Sequence, residues 1–497
     1  MQAAARSTSL SPRSVVAVRC TVAVLLVIYA LFLWKYAYIQ PGGADSSGYF
    51  NLGRLLSAGH VHAPVRPLEG LPARDLPLYA YVPLGFVPTG DGASLNPTYP
   101  PGLPLLLAAS SNALGWMQGP NALFVLHALV GVLLAYALAR QAGASELGSW
   151  CAAFALAVAP LYFHHVLYAM SDMPATAWCA LALWLIGRSG WCSAIGAGFA
   201  VGVAVLIRPS NALIALPMAI LLGFDWRRWL AFGAGGLPAA AFLFVFNRAA
   251  YGAALASGYG AFGSLFSTEW LSLSLRHYAQ WLLMAATPIV ALALGLPFVR
   301  GRNWRLLLAH TFWIVTLFAF YAFYFHTHEA WWYLRFILPA VPSLLVLAIL
   351  VAQQVIDRFS PRVALACWVG LAALALANAN YWDKQLGLRH IGVGERVYTR
   401  IGDFVRTDMP PNAIVVAMQG SGALFYACPN PIVRWDNIDD TWPRIVASAR
   451  QAGRPIYAIL WDFERTDSRF AQNLPGRWTS LRTDGPATLW RYDGDTP

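Results

Sequence analysis

Asp45 stands alone in the stretch Gly42-Gly43-Ala44-Asp45-Ser46-Ser47-Gly48-Tyr49-Phe50, directly after the first hydrophobic run. A lone carboxylate among small residues, where a membrane helix meets water, is suited to taking a proton from a substrate hydroxyl. A solvated loop residue would have the same local sequence, so scarcity has to decide. Of the 23 acidic residues only ten precede Asp383, and three of those, Glu146, Asp225 and Asp357, fall in loops assigned to the opposite side. A helix-length run from Asn51 to Gly59 follows, with Leu52, Leu55 and Leu56 at helical spacing and a glycine at its end.

The second acidic candidate is Asp172, in Tyr168-Ala169-Met170-Ser171-Asp172-Met173-Pro174. Proline two residues after the acid is the grammar of a helix start, so a cap explains Asp172 as well as a functional role does. Its expected place on the same outer face as Asp45, at membrane depth, argues for a cavity, because a polar side chain there is otherwise costly. Arg208, in Ile207-Arg208-Pro209-Ser210, and Arg335, in Tyr333-Leu334-Arg335-Phe336, sit at outer ends of spans inside apolar sequence. Guanidinium groups snorkelling to headgroups would look the same. A lipid phosphate in a membrane-embedded cavity, however, calls for a planar, permanently charged, bidentate donor. Arg54 is a third phosphate candidate, and Tyr49, Tyr99, His328 and Glu329 complete the set as substrate-binding side chains. His326-Thr327-His328-Glu329 carries metal-ligand residue types and could hold a divalent metal ion. Beside Trp331, Trp332 and Tyr333 the same histidines fit an interfacial aromatic belt equally well. Phosphate-loop, dinucleotide, nucleophile-elbow and paired-cysteine signatures are all missing from the sequence.

The elements that must position these residues are membrane spans. Of 497 residues, 58% are hydrophobic and 11% charged, against about 25% charged in a soluble globule. Apolar runs near spanning length then predict a polytopic α-helical membrane protein, a multi-pass protein in contact with the lipid bilayer. The net charge of +11 sits in short loops rather than in a basic stripe, so it sets orientation and implies no nucleic-acid partner. Arg6, Arg13 and Arg19 hold residues 1–19 in the cytoplasm, and the first span, Cys20 to Trp34, delivers Asp45 outside. A long outer loop, 40–101, leads to Leu103–Leu114, too short to cross and read as re-entrant or interfacial.

From Asn121 the runs alternate: Asn121–Leu138, Leu147–Leu167, Met173–Ile186, Cys192–Ile207, Ala212–Phe224, Leu230–Phe246, Trp281–Val299, Leu306–Phe325, Phe336–Leu350 and Val363–Ala379. With the first span this predicts about eleven transmembrane helices of roughly 20 residues over 20–380, several of them short. A second outer loop covers Asn247 to about Gln280. Every inner loop carries at least one arginine, which makes the assignment self-consistent. The remainder, 381–497, holds 13 of the 23 acidic residues. Strand-like runs (Ala413–Met418, Pro455–Leu460) and a helical one (Trp442–Ala452) predict a small extracytoplasmic α/β domain there.

Asp45 with Tyr49, the closing Gly59, Tyr99-Pro100-Pro101-Gly102, Ser171-Asp172-Met173-Pro174, Arg208-Pro209 and Arg335-Phe336-Ile337-Leu338-Pro339 occur in the order seen in GT-C glycosyltransferases. The chain resembles most the bacterial branch similar to protein O-mannosyltransferases and the aminoarabinose transferase of lipid A. It departs from relatives that have a second acid beside the first-loop aspartate, since Ala44 and Ser46 flank Asp45 here. It also has Thr98-Tyr99 where the aminoarabinose transferase has Glu-Lys. The resemblance implies a GT-C fold and an inverting transfer from a polyprenyl-phosphate sugar donor to a glycan, lipid or protein acceptor outside the cytoplasmic membrane. It makes Asp45 the base.

The residues fit that chemistry independently. One carboxylate takes the acceptor proton while an already anionic phosphate departs, helped by cations. Arg335 and Arg208 would hold the phosphate and Asp172 would orient the acceptor. The alternative is a membrane transporter or lipid flippase with Asp45 and Asp172 as coupling or gating sites. No internal repeat between the halves supports it. A broken helix deep in the membrane would favour transport, and an outer cavity beneath the first loop would favour transfer.

Overall fold

The computed structural model describes residues 12–260 and 262–494, with backbone alone at 12–19 and 262. Arg6 lies outside the described residues, as do the side chains of Arg13 and Arg19, so the orienting charges of the N-terminus stay a matter of sequence. Helices dominate the first part of the chain: α1 (Pro12–Tyr36), α2 (Ala44–Ser57), α3 (Gly102–Gln141), α4 (Glu146–Val158), α5 (Pro160–Val166), α6 (Asp172–Ile186), α7 (Trp191–Ile207), α8 (Ala215–Leu222), α9 (Trp226–Tyr251), α10 (Trp270–Ala285), α11 (Trp304–Ala322), α12 (Val341–Ile356) and α13 (Pro361–Leu386). Among the described residues five helices are long and apolar enough to cross a membrane, or seven if each of two bent pairs counts as one span. Four shorter apolar helices, Cys20–Tyr36, Asp172–Ile186, Trp191–Ile207 and Pro209–Leu222, accompany them. Apolar side chains such as Leu31, Leu237 and Val369 are well over half exposed, which leaves outward faces for lipid.

Several expected spans are interrupted, and the interruptions have local causes. Leu147–Leu167 is α4 and α5 bent by 56° at Ala159-Pro160, because a proline lacks the donor that would continue the ladder. Trp281–Val299 is not one span. Helix α10 begins at Trp270, inside the expected second loop, and meets the 3-10 helix Pro288–Phe298 at 109°, with Thr287 at φ 77°. Leu103–Leu114 and Asn121–Leu138 are two helical pieces within α3, parted by a kink at Gly115, whose φ of 80° and ψ of 155° leave the helical region. The expected run Phe336–Leu350 starts as a 3-10 helix, Trp331–Ala340, before α12 takes over.

The first loop is ordered. It contains α2 and a three-stranded antiparallel sheet of β1 (Ala63–Pro64), β2 (Phe86–Pro88) and β3 (Ser94–Pro97), in the order β1-β3-β2. After α13 the chain forms α14 (Ile391–Thr407), α15 (Ser421–Ala427) and α16 (Trp442–Gln451) around a five-stranded sheet. Its strands are β4 (Ile414–Val416), β5 (Ile432–Val433), β6 (Ile456–Trp461), β7 (Arg477–Asp484) and β8 (Ala487–Gly494), in the order β5-β4-β6-β8-β7. The β4-β5 and β4-β6 pairs are parallel, while β6-β8 and β7-β8 are antiparallel.

This C-terminal segment and the first loop bury common cores. Val82, Phe86 and Leu95 pack with Tyr398, Ile401 and Phe425, and Leu68, Leu76 and Tyr81 pack with Trp435 and Ile445. Main-chain bonds cross the same boundary, as from Arg434 N to Ala80 O at 2.8 Å. Two segments that share one core lie on one side of any bilayer. They form a single cap that includes α2.

Candidate active site

Helix α2 begins at Ala44, earlier than its apolar spacing indicates, so Asp45 belongs to a helix's first turn and not to a flexible loop. A carboxylate is favoured there by the partial positive charge of the free N–H groups. The small residues that looked like flexibility serve close packing instead. At Gly48 an added methyl would run into the Tyr99 ring and into Gly85, and Gly85, at φ 92°, would in turn run into Gly48. This contact seats the first loop on α2 and brings Tyr99 to the catalytic candidate. The Tyr99 hydroxyl lies by the Asp45 carboxylate and favours its charged form.

Arg335, on the 3-10 helix Trp331–Ala340, donates from Nη2 to Asp45 Oδ2 at 3.0 Å. Its Nη1 lies 3.8 Å from Asp172 Oδ2. Asp172 opens α6, is fully buried, and pairs through Oδ1 with Arg208, which ends α7 where Pro209 stops the helix. Arg208 also approaches Ser171 Oγ (3.5 Å) and the Tyr321 hydroxyl (3.4 Å). The Tyr49 hydroxyl donates to Ser171 Oγ at 3.1 Å, which ties α2 to the start of α6. Both guanidinium groups flank Phe336, at 5.1 Å from its ring centre, and that ring stacks on Tyr321.

The result is a continuous charge array, Asp45–Arg335–Asp172–Arg208, from residues up to 290 positions apart. Burial alone would push the Asp45 carboxyl up; Arg335 foremost, with the Tyr99 hydroxyl and Arg208, holds it below the usual carboxylate range. The array is near neutral as it stands. It therefore has cations to offer an anion only if one partner yields.

The remaining candidates fall elsewhere. Arg54 is not brought to the array. It lies nine residues along α2 from Asp45, exposed, with its guanidinium 3.3 Å from the Tyr426 ring centre and Nη1 donating to Tyr426 O at 2.8 Å. His326 pairs with Glu329 at 2.7 Å, and His328 stacks on Trp270, so the His-Thr-His-Glu run stands behind Tyr333, against which Arg335 packs at 5.3 Å. Among the described residues no group of three or more His, Cys, Asp and Glu converges to hold a metal ion. Residues that the sequence did not single out include Tyr321, Ser210, which bonds it at 2.6 Å, and Tyr259, whose ring meets Tyr99 edge-on at 6.1 Å. Tyr259 lies between Gly258 and Gly260 in the second loop, and a lone tyrosine between glycines was the only cue available.

No protein-family model matches the chain, and no curated protein matches it in sequence. Solved structures do match in fold. ArnT from Cupriavidus metallidurans in the apo state superposes with a TM-score of 0.62 at 14% identity, over 95% of this chain and 98% of that one. The same enzyme bound to undecaprenyl phosphate gives 0.62 at 15%, with the same coverage. Mycobacterial arabinofuranosyltransferase AftD gives 0.51 at 14% identity, over 98% of this chain and 40% of that one. The likeness is one of fold.

Proposed function

We propose that the chain is an inverting glycosyltransferase that moves a sugar from a polyprenyl-phosphate donor to an acceptor hydroxyl on the outer face of the cytoplasmic membrane. The observation that carries the reading is the shared guanidinium of Arg335, bonded to Asp45 and close to Asp172. The donor phosphate competes for Arg335 and Arg208, as a bidentate anion does for a planar cation. When Arg335 turns to the phosphate, Asp45 loses its strongest counter-charge, and burial then raises its affinity for a proton. Asp45 takes the acceptor proton as the acceptor oxygen bonds to the anomeric carbon. The bond from that carbon to the phosphate oxygen breaks, its electron pair leaves on the phosphate beside the arginines, and the configuration inverts. Asp172 keeps Arg208 in place. Tyr49 and Tyr99, whose rings meet at 5.0 Å beside Asp45, would meet the hydroxyls of the sugar.

In this reading residues 20–380 are the catalytic membrane part, 1–19 are cytoplasmic, and 381–497 form an outer domain on the same side as the loop 40–101. The shared cores of that loop and the C-terminal segment support the common sidedness. The fold likeness to a protein solved with undecaprenyl phosphate supports a polyprenyl-phosphate ligand. Transport would use the 109° break between α10 and Pro288–Phe298, but that break carries no ionisable residue and none of the array.

The test is turnover of a panel of polyprenyl-phosphate sugars by protein in lipid nanodiscs, wild type against Asp45→Asn. Release of polyprenyl phosphate that depends on Asp45 is the expected result. Equal release by a folded Asp45→Asn protein would remove Asp45 as the base.

A further inference from the structure

Away from the charge array, a cavity of about 420 Å³ opens between the C-terminal half of α2, the β1–β2 region of the first loop and the end of α15. That size lies within the range of about 300–1,000 Å³ usual for small-molecule sites. Arg54 and Arg66 reach into its lining from one side, with Phe425, Tyr426 and Cys428 on the other. The Arg66 guanidinium packs on the Phe425 ring at 3.7 Å and donates to Cys428 O (2.5 Å) and Phe425 O (3.2 Å).

The bland account is that both arginines cap α15, whose last carbonyls they bond. Capping explains the contacts but not the charge. A helix C-terminus offers about half a negative charge, against two full positive ones here. Among the described residues neither arginine has a carboxylate partner. Arg54 also keeps donors beyond the one given to Tyr426 O. Arg66 is half-buried and Arg54 exposed, so two guanidinium groups that no carboxylate neutralises border the cavity and can meet an anion there.

We propose that this cavity binds the anionic group, phosphate or carboxylate, of a charged sugar unit. Helix α2 sets its distance from the chemistry. Arg54 is nine residues from Asp45, roughly 14 Å along the helix at about 1.5 Å per residue. The ligand's charge therefore sits about 14 Å from the carboxylate that would take the acceptor proton. Calling the ligand a distal unit of the acceptor rests on the proposed transferase reading; the binding site itself does not.

The experiment is hydrogen exchange of the full chain in zwitterionic nanodiscs, at constant ionic strength. The probes are glucose 6-phosphate, glucuronate and glucose. Either anionic sugar should slow exchange across residues 51–66 and 421–429, and glucose should not. Arg54→Gln and Arg66→Gln should each weaken the effect roughly tenfold or more, whereas Arg54→Lys, which keeps the charge, should weaken it less. Unchanged exchange elsewhere in the chain certifies the fold of each variant. Equal protection by glucose, protection that survives both Gln substitutions, or no protection by either anion overturns the proposal. A parallel arm replaces the probes with nanodiscs containing phosphatidylglycerol. Protection there alone would make the site one for a lipid headgroup and overturn the sugar assignment. Because hydrogen exchange needs no turnover, protection by an anionic sugar would stand even if the transferase assay failed.

Discussion

Arg335 Nη2 lies 3.0 Å from Asp45 Oδ2, so the candidate base is engaged by a cation. Asparagine at position 45 can still accept that hydrogen bond but cannot take a proton. Asp45→Asn should therefore fold and bind donor while losing about 10²–10⁴ in turnover, the usual contribution of a general base. Single-turnover assays alongside donor-binding titrations check this. Loss of binding in step with turnover would mark Asp45 as structural instead.

Arg335→Lys should fail in a different way. One ammonium on a flexible stem cannot span Asp45 and Asp172, and it offers no bidentate face to phosphate. The Michaelis constant for the lipid donor should rise by tenfold or more, on the order of one lost charge-assisted hydrogen bond. Steady-state kinetics against donor concentration reads it, and an unchanged constant would place the phosphate on other residues.

Asp172 and Arg208 are the buried half of the array. Asp172→Asn leaves Arg208 without its anion and should cost about 3–5 kcal/mol, whereas Asp172→Asn with Arg208→Gln should recover a good part of that. Thermal unfolding of the two single variants and the double variant in nanodiscs measures the coupling. Additive losses would show that the pair is not coupled.

Much of this arrangement was legible in the sequence, and the reasons are particular. Asp45, Asp172, Arg208 and Arg335 stood out because ionisable residues are scarce in apolar sequence, and the structure joins all four. The strands β4 and β6 and the helix α16 fall where alternation and helical periodicity placed them. What hydropathy could not show was where a long apolar run breaks, because Pro160, Thr287-Pro288 and Gly115 change backbone direction without changing apolarity. The start of α2 was hidden because Gly43, Ala44 and Ser46 read as loop, while their use in close packing depends on Gly85 and Tyr99, far along the chain. Arg54 was named for its nearness to Asp45 in sequence, and the helix carries position 54 well away from position 45.

Two carboxylates at the cap predict opposite pH signatures. Asp45 is held low, so its share of stability is present above the ordinary carboxylate pKa and is lost only as pH falls through its depressed value. Glu395, on α14 against Gly42, is pushed up to about 7 by burial. Its burial costs nothing while it is protonated, below the ordinary carboxylate pKa. Stability then declines as pH rises toward 7 and levels off above it. Glu395→Gln should abolish that decline, a difference on the order of 1–3 kcal/mol at pH 8 that vanishes near pH 4. Melting curves of the two proteins that stay parallel from pH 4 to pH 8 would show that Glu395 ionises freely.

The crossing of Gly48 and Gly85 connects packing to catalysis, and it can be broken by one methyl group. Alanine at 85 would have to hold φ near 92° and would press on the Gly48 main chain. The strain should cost more than about 1 kcal/mol. The larger consequence is positional, because lifting the loop from α2 withdraws Tyr99 from Asp45. Gly85→Ala should therefore lower turnover by more than its loss of stability accounts for at the assay temperature. Gly90→Ala, in the same loop but with open space around it, should change neither. If both variants turn over donor at the wild-type rate, the contact between the loop and α2 has no part in setting the site.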